Sequence, residues 1–290
     1  MTVLGGWLGA GKTTLLNRML AHADQRIAVV VNDVGEINVD AALIAAADDQ
    51  IVELTNGCVC CSIGDSLALT LRELTLRNPP PERIVIEASG VADPRQVAAY
   101  GDRRRVPLDA VITLADVETF QRLAGLDPYG SLMKAQVAGA DLVVATKLDL
   151  LDADSAAAAL ASVRAVTTAP VIETSNDPAW IRHVILGSHQ SAERAAYTPA
   201  PPIHGLATHT WRAAGPVDVD GLTEVLERSG LLRAKGTLTT PTGTMLVHLA
   251  GERVEVTTSY DPSLDVLVLI GGSEAVVSTA VEALDRVRWA

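Results

Sequence analysis

The sequence predicts an α/β fold with a doubly wound, mostly parallel sheet, followed by a second, smaller α+β domain at the C-terminal end. Two observations predict it. Short apolar runs alternate with helical patterns over the first part of the chain, and this alternation stops after a polar stretch that is rich in alanine and proline. Runs that are apolar on both faces are typical of parallel strands covered by helices on both sides. Ligands of such sheets bind at the carboxyl ends of the strands.

The predicted elements follow from these patterns in chain order. The first domain has strands at 2–4, 27–31, 51–54, 83–87, 110–115, 142–145 and 171–173, and helices at 13–22, 63–77, 131–138 and 155–166. The composition of residues 187–202 is typical of a linker. The last part has strands at 203–211, 245–249, 254–258 and 266–270, and helices at 219–229 and 274–287. We therefore expect a first domain over residues 1–190 and a C-terminal domain over residues 203–290.

Charge and hydropathy exclude several classes of function. The 290 residues include 23 Lys and Arg against 35 Asp and Glu, a net charge of −12. Such a surface repels a phosphate backbone, so we expect no nucleic-acid partner. The sequence shows no signal-peptide pattern and no apolar run near the roughly 20 residues that span a bilayer. We therefore expect a cytoplasmic protein without a membrane partner.

Residues 6–13 match the phosphate-binding motif G-x-x-x-x-G-K-[ST], between a predicted strand and a predicted helix. The glycines let backbone N–H groups surround a phosphate at a helix N-terminus. Lys12 supplies positive charge to the β- and γ-phosphates, and the Thr13 hydroxyl can ligate Mg²⁺. We expect the nucleotide contacts to come from Gly6, Gly9, Ala10, Gly11, Lys12, Thr13 and Thr14.

A second motif, at Thr146-Lys147-Leu148-Asp149, follows a predicted strand and resembles the guanine-binding pattern [NT]-K-x-D. The Asp149 carboxylate can accept hydrogen bonds from the ring N–H and the exocyclic amine of guanine, whereas adenine presents acceptors there. We therefore expect Thr146, Lys147 and Asp149 to bind the base of GTP or GDP. The alternative is an ordinary surface turn.

Acidic residues follow two other predicted strands. Glu87 ends the strand at 83–87, where a carboxylate facing the phosphate loop suits the surroundings of Mg²⁺, and Gly90 can bring a backbone N–H to the γ-phosphate. We predict that Lys12, Thr13, Glu87 and Gly90 carry the catalysis. The segment 32–40, which contains Glu36, occupies the corresponding place after the second strand. Any one of these acids could instead be a solvated loop residue.

All three cysteines of the chain, Cys58, Cys60 and Cys61, lie together after the third predicted strand. Three thiolates in one turn can converge on a single ion, and thiolates favour Zn²⁺. Buried structural cysteines are one alternative, and a redox-active pair is another, because neighbouring cysteines form strained disulfides. A metal site is favoured because acidic residues are expected at the same edge of the sheet.

Taken together, the motifs at 6–13, 32–40, 57–61, 87–94 and 146–149 resemble those of the CobW-like metallochaperone GTPases. Residues 231–236 and 267–271 resemble that family's C-terminal domain, so the resemblance covers nearly the whole chain. It implies GTP hydrolysis with Mg²⁺ and a transition metal, Zn²⁺ or alternatively Co²⁺ or Ni²⁺. No arginine finger and no glutamine that would orient the attacking water stands out in the sequence, so we expect slow intrinsic turnover. By direct match the resemblance places this metal on Cys58, Cys60 and Cys61. Glu36 matches a nearby acidic residue in a loop that changes conformation with the bound nucleotide. Thr146 departs from the commoner Asn.

The primary hypothesis is therefore a GTP-dependent metallochaperone that delivers its metal to a client protein and is able to form homo-oligomers. A nucleotide-binding metal or redox sensor that delivers nothing is the alternative. A small-molecule kinase is a third possibility, but the motif at 146–149 and the cysteine loop argue against it.

Overall fold

The computed structural model describes residues 1–23, 25–31, 51–53, 63–102, 106–186, 205–259 and 263–287. Within these ranges the chain forms two compact units, one from the described residues up to 186 and one from those from 205 onward. The first unit contains a seven-stranded sheet and the second a five-stranded sheet. The predicted fold class is confirmed. The predicted linker at 187–202 lies outside the described residues, and the predicted domain limits stay a prediction.

The sheet of the first unit is parallel throughout its described pairs. Its strand order is β3-β2-β4-β1-β5-β6-β7, so β1 lies at the centre between β4 and β5. Because the strands are parallel, the segments that follow them all leave from one edge of the sheet. The strands are β1 (Thr2–Gly5), β2 (Ile27–Val31), β3 (Ile51–Glu53), β4 (Arg83–Glu87), β5 (Ala110–Asp116), β6 (Leu142–Thr146) and β7 (Val171–Glu173).

Helices cover both faces of this sheet, which explains why its strands are apolar on both sides. Buried residues of α1 and α7, such as Leu16 and Ile185, pack on one face. Leu67 and Leu71 of α2 and Val97 of α3 pack on the other. The described helices are α1 (Lys12–Ala21), α2 (Ile63–Leu76), α3 (Pro94–Asp102), α4 (Val117–Leu123), α5 (Tyr129–Ala138), α6 (Ala153–Arg164) and α7 (Pro178–Leu186), with a 3₁₀ helix at Leu148–Leu150.

Three of these helices, α3, α4 and α7, were not predicted. α3 and α4 are only nine and seven residues long, too short for a clear helical period. α7 is different, because its buried residues Ile181, Val184 and Ile185 have the i, i+3, i+4 spacing of an amphipathic helix. This spacing is visible in the sequence, so α7 could have been predicted from it.

The second unit is an antiparallel sheet with the order β11-β10-β9-β12-β8. Helices α8 and α9 bury Leu222, Leu226 and Val277 against apolar residues of the sheet. The elements are β8 (Ala207–Arg212), α8 (Val219–Arg228), β9 (Arg233–Thr240), β10 (Gly243–Ala250), β11 (Arg253–Thr258), β12 (Val266–Gly271) and α9 (Glu274–Leu284).

Strand β9 was not predicted, because Arg233, Lys235, Gly236 and its threonines obscure the apolar pattern of a strand. Its two neighbours, β10 and β12, supply the hydrogen bonds that determine its conformation. Pairing with these two strands outweighs the weak β-strand propensity of the residues in β9. The strand predicted at 203–211 begins at Ala207 among the described residues.

Asp265 directly precedes β12 and holds the start of this strand through hydrogen bonds. It lies in the left-handed region with φ 52°. Its Oδ1 accepts hydrogen bonds from the Thr239 backbone N–H at 2.8 Å and from the Ser263 hydroxyl at 2.8 Å. Burial by itself raises the pKa of Asp265, but the hydrogen bonds from Ser263 and Thr239 together outweigh this effect and hold the pKa below its ordinary value. The ionised carboxyl group therefore stabilises this unit.

We predict that Asp265→Asn lowers the free energy of unfolding at neutral pH. The difference between the variant and the parent protein should disappear at acidic pH. Asn tolerates the left-handed backbone as Asp does, so the substitution mainly removes the charge. Because the folded pKa is depressed, the stabilisation is present above the unfolded pKa of about 4 and is lost as the pH falls through the folded pKa. Urea unfolding of both proteins between pH 7 and pH 3 measures the difference.

The control for this experiment is Glu227→Gln, which removes one negative charge from an exposed position on α8. Its effect on the free energy of unfolding should be small over the whole range, because an exposed side chain is screened by solvent. A pH-independent difference between Asp265→Asn and the parent protein would contradict the role assigned to the Asp265 carboxylate.

Candidate nucleotide site

The predicted phosphate loop leaves the end of β1 and enters α1. Gly6, Gly9 and Gly11 have φ angles of 130°, 75° and 95°, so the loop uses backbone conformations that other residues rarely adopt. At Gly6 a Cβ would lie only 2.3 Å from the Leu114 carbonyl oxygen of β5. Gly6 is therefore required by the close packing of the loop on the sheet, and the positive φ angles favour glycine at all three positions.

Lys12 is buried at the start of α1. Its Nζ donates hydrogen bonds to the carbonyl oxygens of Gly6 at 2.9 Å and Trp7 at 3.2 Å. These bonds hold the ammonium group against the turn of the loop, at the N-terminal end of the helix. A positive charge and a helix N-terminus both favour a phosphate. Ala10 is also buried here, whereas Thr14 is exposed.

Thr13 and Glu87 join the loop to the neighbouring strand. The Thr13 hydroxyl donates a hydrogen bond to Glu87 Oε1 at 3.0 Å. Glu87 ends β4 and is only 3% exposed, and Leu4 of β1 is its register partner. A hydroxyl and a carboxylate are hard oxygen donors of the kind that Mg²⁺ prefers. These two residues therefore fit a magnesium ion that accompanies a nucleotide.

Gly90 lies in the turn that follows β4 and packs directly on the phosphate loop. A Cβ at Gly90 would lie 2.7 Å from the backbone nitrogen of Leu8. Within the turn, the Ala92 N–H donates a hydrogen bond to the Ser89 carbonyl at 2.9 Å. The structure thus brings together the four residues predicted to be catalytic: Lys12, Thr13, Glu87 and Gly90.

The segment predicted to bind the base is tied to the phosphate loop by a side chain. The Thr146 hydroxyl donates a hydrogen bond to the Ala10 carbonyl at 3.0 Å, and both residues are buried. Lys147 follows with φ 62°, and Asp149 is exposed in the short 3₁₀ helix. The carboxylate of Asp149 is accessible to a ligand at the same edge of the sheet.

Asp116 is a residue of this site that the sequence reasoning missed. It ends β5 beside Thr146 and is 3% exposed. Its Oδ2 lies 2.8 Å from Lys147 Nζ, and its side chain also caps α4 by accepting hydrogen bonds from the Thr119 N–H at 3.1 Å and the Thr119 hydroxyl at 2.9 Å. The available signal was an Asp at the end of an apolar strand with a Thr three residues later, a helix-capping pattern.

The predicted ligands of the transition metal, Glu36, Cys58, Cys60 and Cys61, lie outside the described residues. In the part of the chain that the structure describes, no three His, Cys, Asp or Glu side chains group so as to hold a metal ion. Among the same residues, no helix combines the length and the apolar character that crossing a membrane requires. The cysteine metal site stays a prediction.

We predict that Thr146→Val weakens the binding of guanine nucleotides about three- to tenfold. The substitution keeps the side-chain shape and removes one hydrogen bond, which contributes roughly 0.5–1.5 kcal/mol, and thereby loosens the base-binding segment from the phosphate loop. Titration with a fluorescent GDP analogue measures the affinity. The control is Thr75→Val on α2, which removes a hydroxyl that donates to the Arg72 carbonyl at 2.7 Å. Equal GDP affinities for Thr146→Val and the parent protein would show that this tether has no role in binding.

Comparisons with known proteins agree with this geometry. The family described as CobW/HypB/UreG, nucleotide-binding domain, matches residues 1–173, and the cobalamin synthesis protein cobW C-terminal domain matches residues 206–286. A zinc chaperone CobW from Pseudomonas aeruginosa is 32% identical over 307 residues, covering 88% of this chain and 81% of that protein. A zinc chaperone CobW from Sinorhizobium sp is 34% identical over 182 residues, which are 52% of this chain and 51% of that protein.

Among solved structures, a Zn(II)-bound triple mutant of the YjiA GTPase aligns over 100% of this chain and 99% of its own, with 23% identity and a TM-score of 0.46. The family matches span both compact units, and the Pseudomonas relative aligns over most of the chain. The family resemblance noted in the sequence is thereby confirmed. The chain belongs to the CobW/HypB/UreG family and carries its nucleotide-binding domain followed by a cobW C-terminal domain.

Proposed function

We propose that this chain is a GTP-hydrolysing metallochaperone that carries a transition metal, in the first place zinc, and delivers it to a client protein. The observation that carries the proposal is the hydrogen bond between the Thr13 hydroxyl and the buried Glu87 carboxylate, directly beside Lys12. Such a pair fits the magnesium complex of a nucleoside triphosphate, because it offers oxygen donors next to a phosphate-binding loop. Two relatives named zinc chaperones support the metal part of the proposal.

The proposed reaction transfers the terminal phosphoryl group of GTP to water and gives GDP and phosphate. Lys12 is already held at the loop by two carbonyl groups, so its charge needs little rearrangement to stabilise the phosphates. Magnesium, when bound, neutralises the negative charge that develops on the phosphate oxygens. Thr13 would hold this ion, Glu87 would fix the Thr13 hydroxyl, and Gly90 would bring a backbone N–H to the γ-phosphate. We expect slow intrinsic turnover.

Guanine is the proposed base because Asp149 offers a carboxylate, and two contacts support the segment that carries it. Thr146 anchors that segment to Ala10, and Asp116 holds Lys147 through an ion pair. Asp149 then presents its carboxylate from the following 3₁₀ helix. A carboxylate accepts hydrogen bonds from the two donors of guanine, whereas adenine presents acceptors at the same places.

The metal cargo is proposed to bind Cys58, Cys60 and Cys61, which follow β3 in the chain. Glu36 follows β2, the strand that pairs with β3 on one side and β4 on the other. Three thiolates favour zinc, and cobalt and nickel are alternative cargoes. We propose that bound GTP holds the segment after β2 in place, so that Glu36 completes this metal site. Hydrolysis of GTP then frees this segment, and the metal is released.

Delivery requires a partner, and the second unit is the proposed place for contact with a client protein or with a second copy of the chain. Its elements are distinct from those that form the nucleotide site. We propose that this domain covers residues 203–290 and the nucleotide-binding domain residues 1–190, and that the protein acts in the cytoplasm.

We predict that GTP binds at least tenfold tighter than ATP and that Asp149→Asn reduces this preference, because the carboxylate is the group that matches guanine. Competition of both nucleotides against a fluorescent GTP analogue measures the ratio. The matched control is Asp152→Asn, which removes a neighbouring exposed charge but keeps the cap on α6, where Asp152 accepts from the Ser155 N–H at 2.8 Å. Equal affinities of the parent protein for GTP and ATP would overturn the guanine assignment.

We predict that a GTP analogue that resists hydrolysis tightens zinc binding, and that zinc tightens binding of the analogue by the same factor. An ordinary coupling free energy of about 1–3 kcal/mol corresponds to roughly 5–150-fold. Titration of the protein with Zn²⁺ in excess Mg²⁺, with and without the analogue, measures it. Replacing Cys58, Cys60 and Cys61 together by Ser should abolish the coupling and leave GTP binding without zinc nearly intact.

The same titration separates the carrier from a sensor. Zinc affinities that are identical with and without the analogue would show a static metal or redox site, and the carrier mechanism would be wrong. Coupling without any GTP turnover would instead favour the nucleotide-binding sensor, since a carrier needs hydrolysis to release its metal.

A further inference from the structure

Gln136, a residue outside all the motifs above, binds the turn after β4. It lies on α5 and is only 1% exposed. Its Nε2 donates hydrogen bonds to the carbonyl oxygens of Gly90 at 3.1 Å and Ala92 at 2.8 Å. The carboxamide nitrogen has two donors, and both are used on the main chain of this single turn.

Gln136 is itself held firmly. The hydroxyl of Thr113, a fully buried residue of β5, donates a hydrogen bond to the main-chain carbonyl of Gln136 at 3.0 Å. One turn of α5 is thereby attached to the strand next to β1. The main chain of Gln136 is therefore fixed by the sheet as well as by its own helix.

The turn held by Gln136 also touches the phosphate loop. Gly90 packs so closely on Leu8 that even a methyl group at Gly90 would lie 2.7 Å from the Leu8 nitrogen. The turn also contains Ser89 and begins directly after Glu87, the carboxylate that binds Thr13. Any movement of this turn must therefore change the side of the nucleotide site at which Glu87 and Gly90 lie.

The same helix also contacts the phosphate loop. The rings of Tyr129 at the start of α5 and Trp7 in the loop lie 5.7 Å apart, centroid to centroid, and are tilted by 54°. Gln136 is two turns further along α5, about 10 Å at 1.5 Å per residue. One rigid helix thus contacts both the phosphate loop and the turn after β4, and sets their separation.

Packing alone does not explain a glutamine at this position. Burying a carboxamide is costly unless all its donors are bound, and an apolar side chain of similar size would fill the space without that cost. The two main-chain hydrogen bonds are what distinguish Gln136 from such a residue. Their effect is to restrict the backbone of the turn.

We propose that Gln136 is a positioning residue that holds the turn at Gly90–Ala92 in the conformation that responds to the terminal phosphate. It sets the discrimination between GTP and GDP and the rate of hydrolysis without touching the nucleotide. The inference rests on the proposed GTP hydrolysis.

The test uses Gln136→Met, which keeps the length of the side chain and removes both donors. Its affinity for GDP should stay within about twofold of the parent value, because the phosphate loop and the base contacts are unchanged. The ratio of the affinities for a non-hydrolysable GTP analogue and GDP should fall about tenfold, as should kcat, since two hydrogen bonds that fix the turn are lost. Nucleotide titrations and steady-state kinetics with Mg²⁺ measure these values, and KM for GTP should rise less than kcat falls.

Gln121→Met is the matched control, because Gln121 is exposed on α4 and the same chemical change there should alter none of these values. Gln136→Asn is a second test variant, whose shorter side chain cannot reach both carbonyl groups. A parental kcat and a parental GTP-to-GDP ratio in Gln136→Met would overturn the inference. Loss of GDP binding in both Gln136 variants would also overturn it, because Gln136 would then be required for folding rather than for positioning. A parent protein that binds GDP but does not hydrolyse GTP would refute the proposed function itself.

Discussion

The close approach of the Gly6 backbone to strand β5 is the constraint on which the nucleotide site depends. β1 lies at the centre of the parallel sheet, and the loop that leaves it passes so near the Leu114 carbonyl that no side chain fits at Gly6. Thr13, at the end of the loop, binds Glu87 at the end of β4, so the loop contacts both neighbouring strands. Glu87 ends one of them and Asp116 ends the other. A larger residue at Gly6 would displace the loop from β5.

Side chains from three separate segments then fix this loop and the turn beside it. Thr13 binds Glu87, Thr146 binds the Ala10 carbonyl, and Gln136 binds the turn that packs on Leu8. All of these contacts join residues that are distant in sequence, and the groups involved are largely buried. Buried polar groups are stable only when they are paired, so each contact specifies one arrangement of the backbone. These hydrogen bonds therefore preorganise the site together with the close packing of the loop.

The sequence predicted the strands of the first unit well because strands buried on both faces are continuous apolar runs. β2 and β4 have the predicted bounds. It failed at β9, where Lys235 and Gly236 interrupt the pattern and only pairing with β10 and β12 makes a strand. Motif residues were found because their spacing is local. Gln136 could not be found in this way, since its role depends on carbonyl groups more than 40 positions earlier in the chain.

The strand order also bears on the proposed coupling between nucleotide and metal. Glu87 and the phosphate loop lie at the ends of β4 and β1, whereas the cysteines follow β3 at the edge of the sheet. β2 lies between them and pairs with both β4 and β3. At the carboxyl edge of a parallel sheet, neighbouring strands place their following segments side by side. In the proposed mechanism, β2 is the strand between those that precede the γ-phosphate contacts and the cysteines, and Glu36 belongs to the segment that follows β2 in the chain. The position of β2 in the strand order is thus the physical reason for assigning the proposed coupling to that segment.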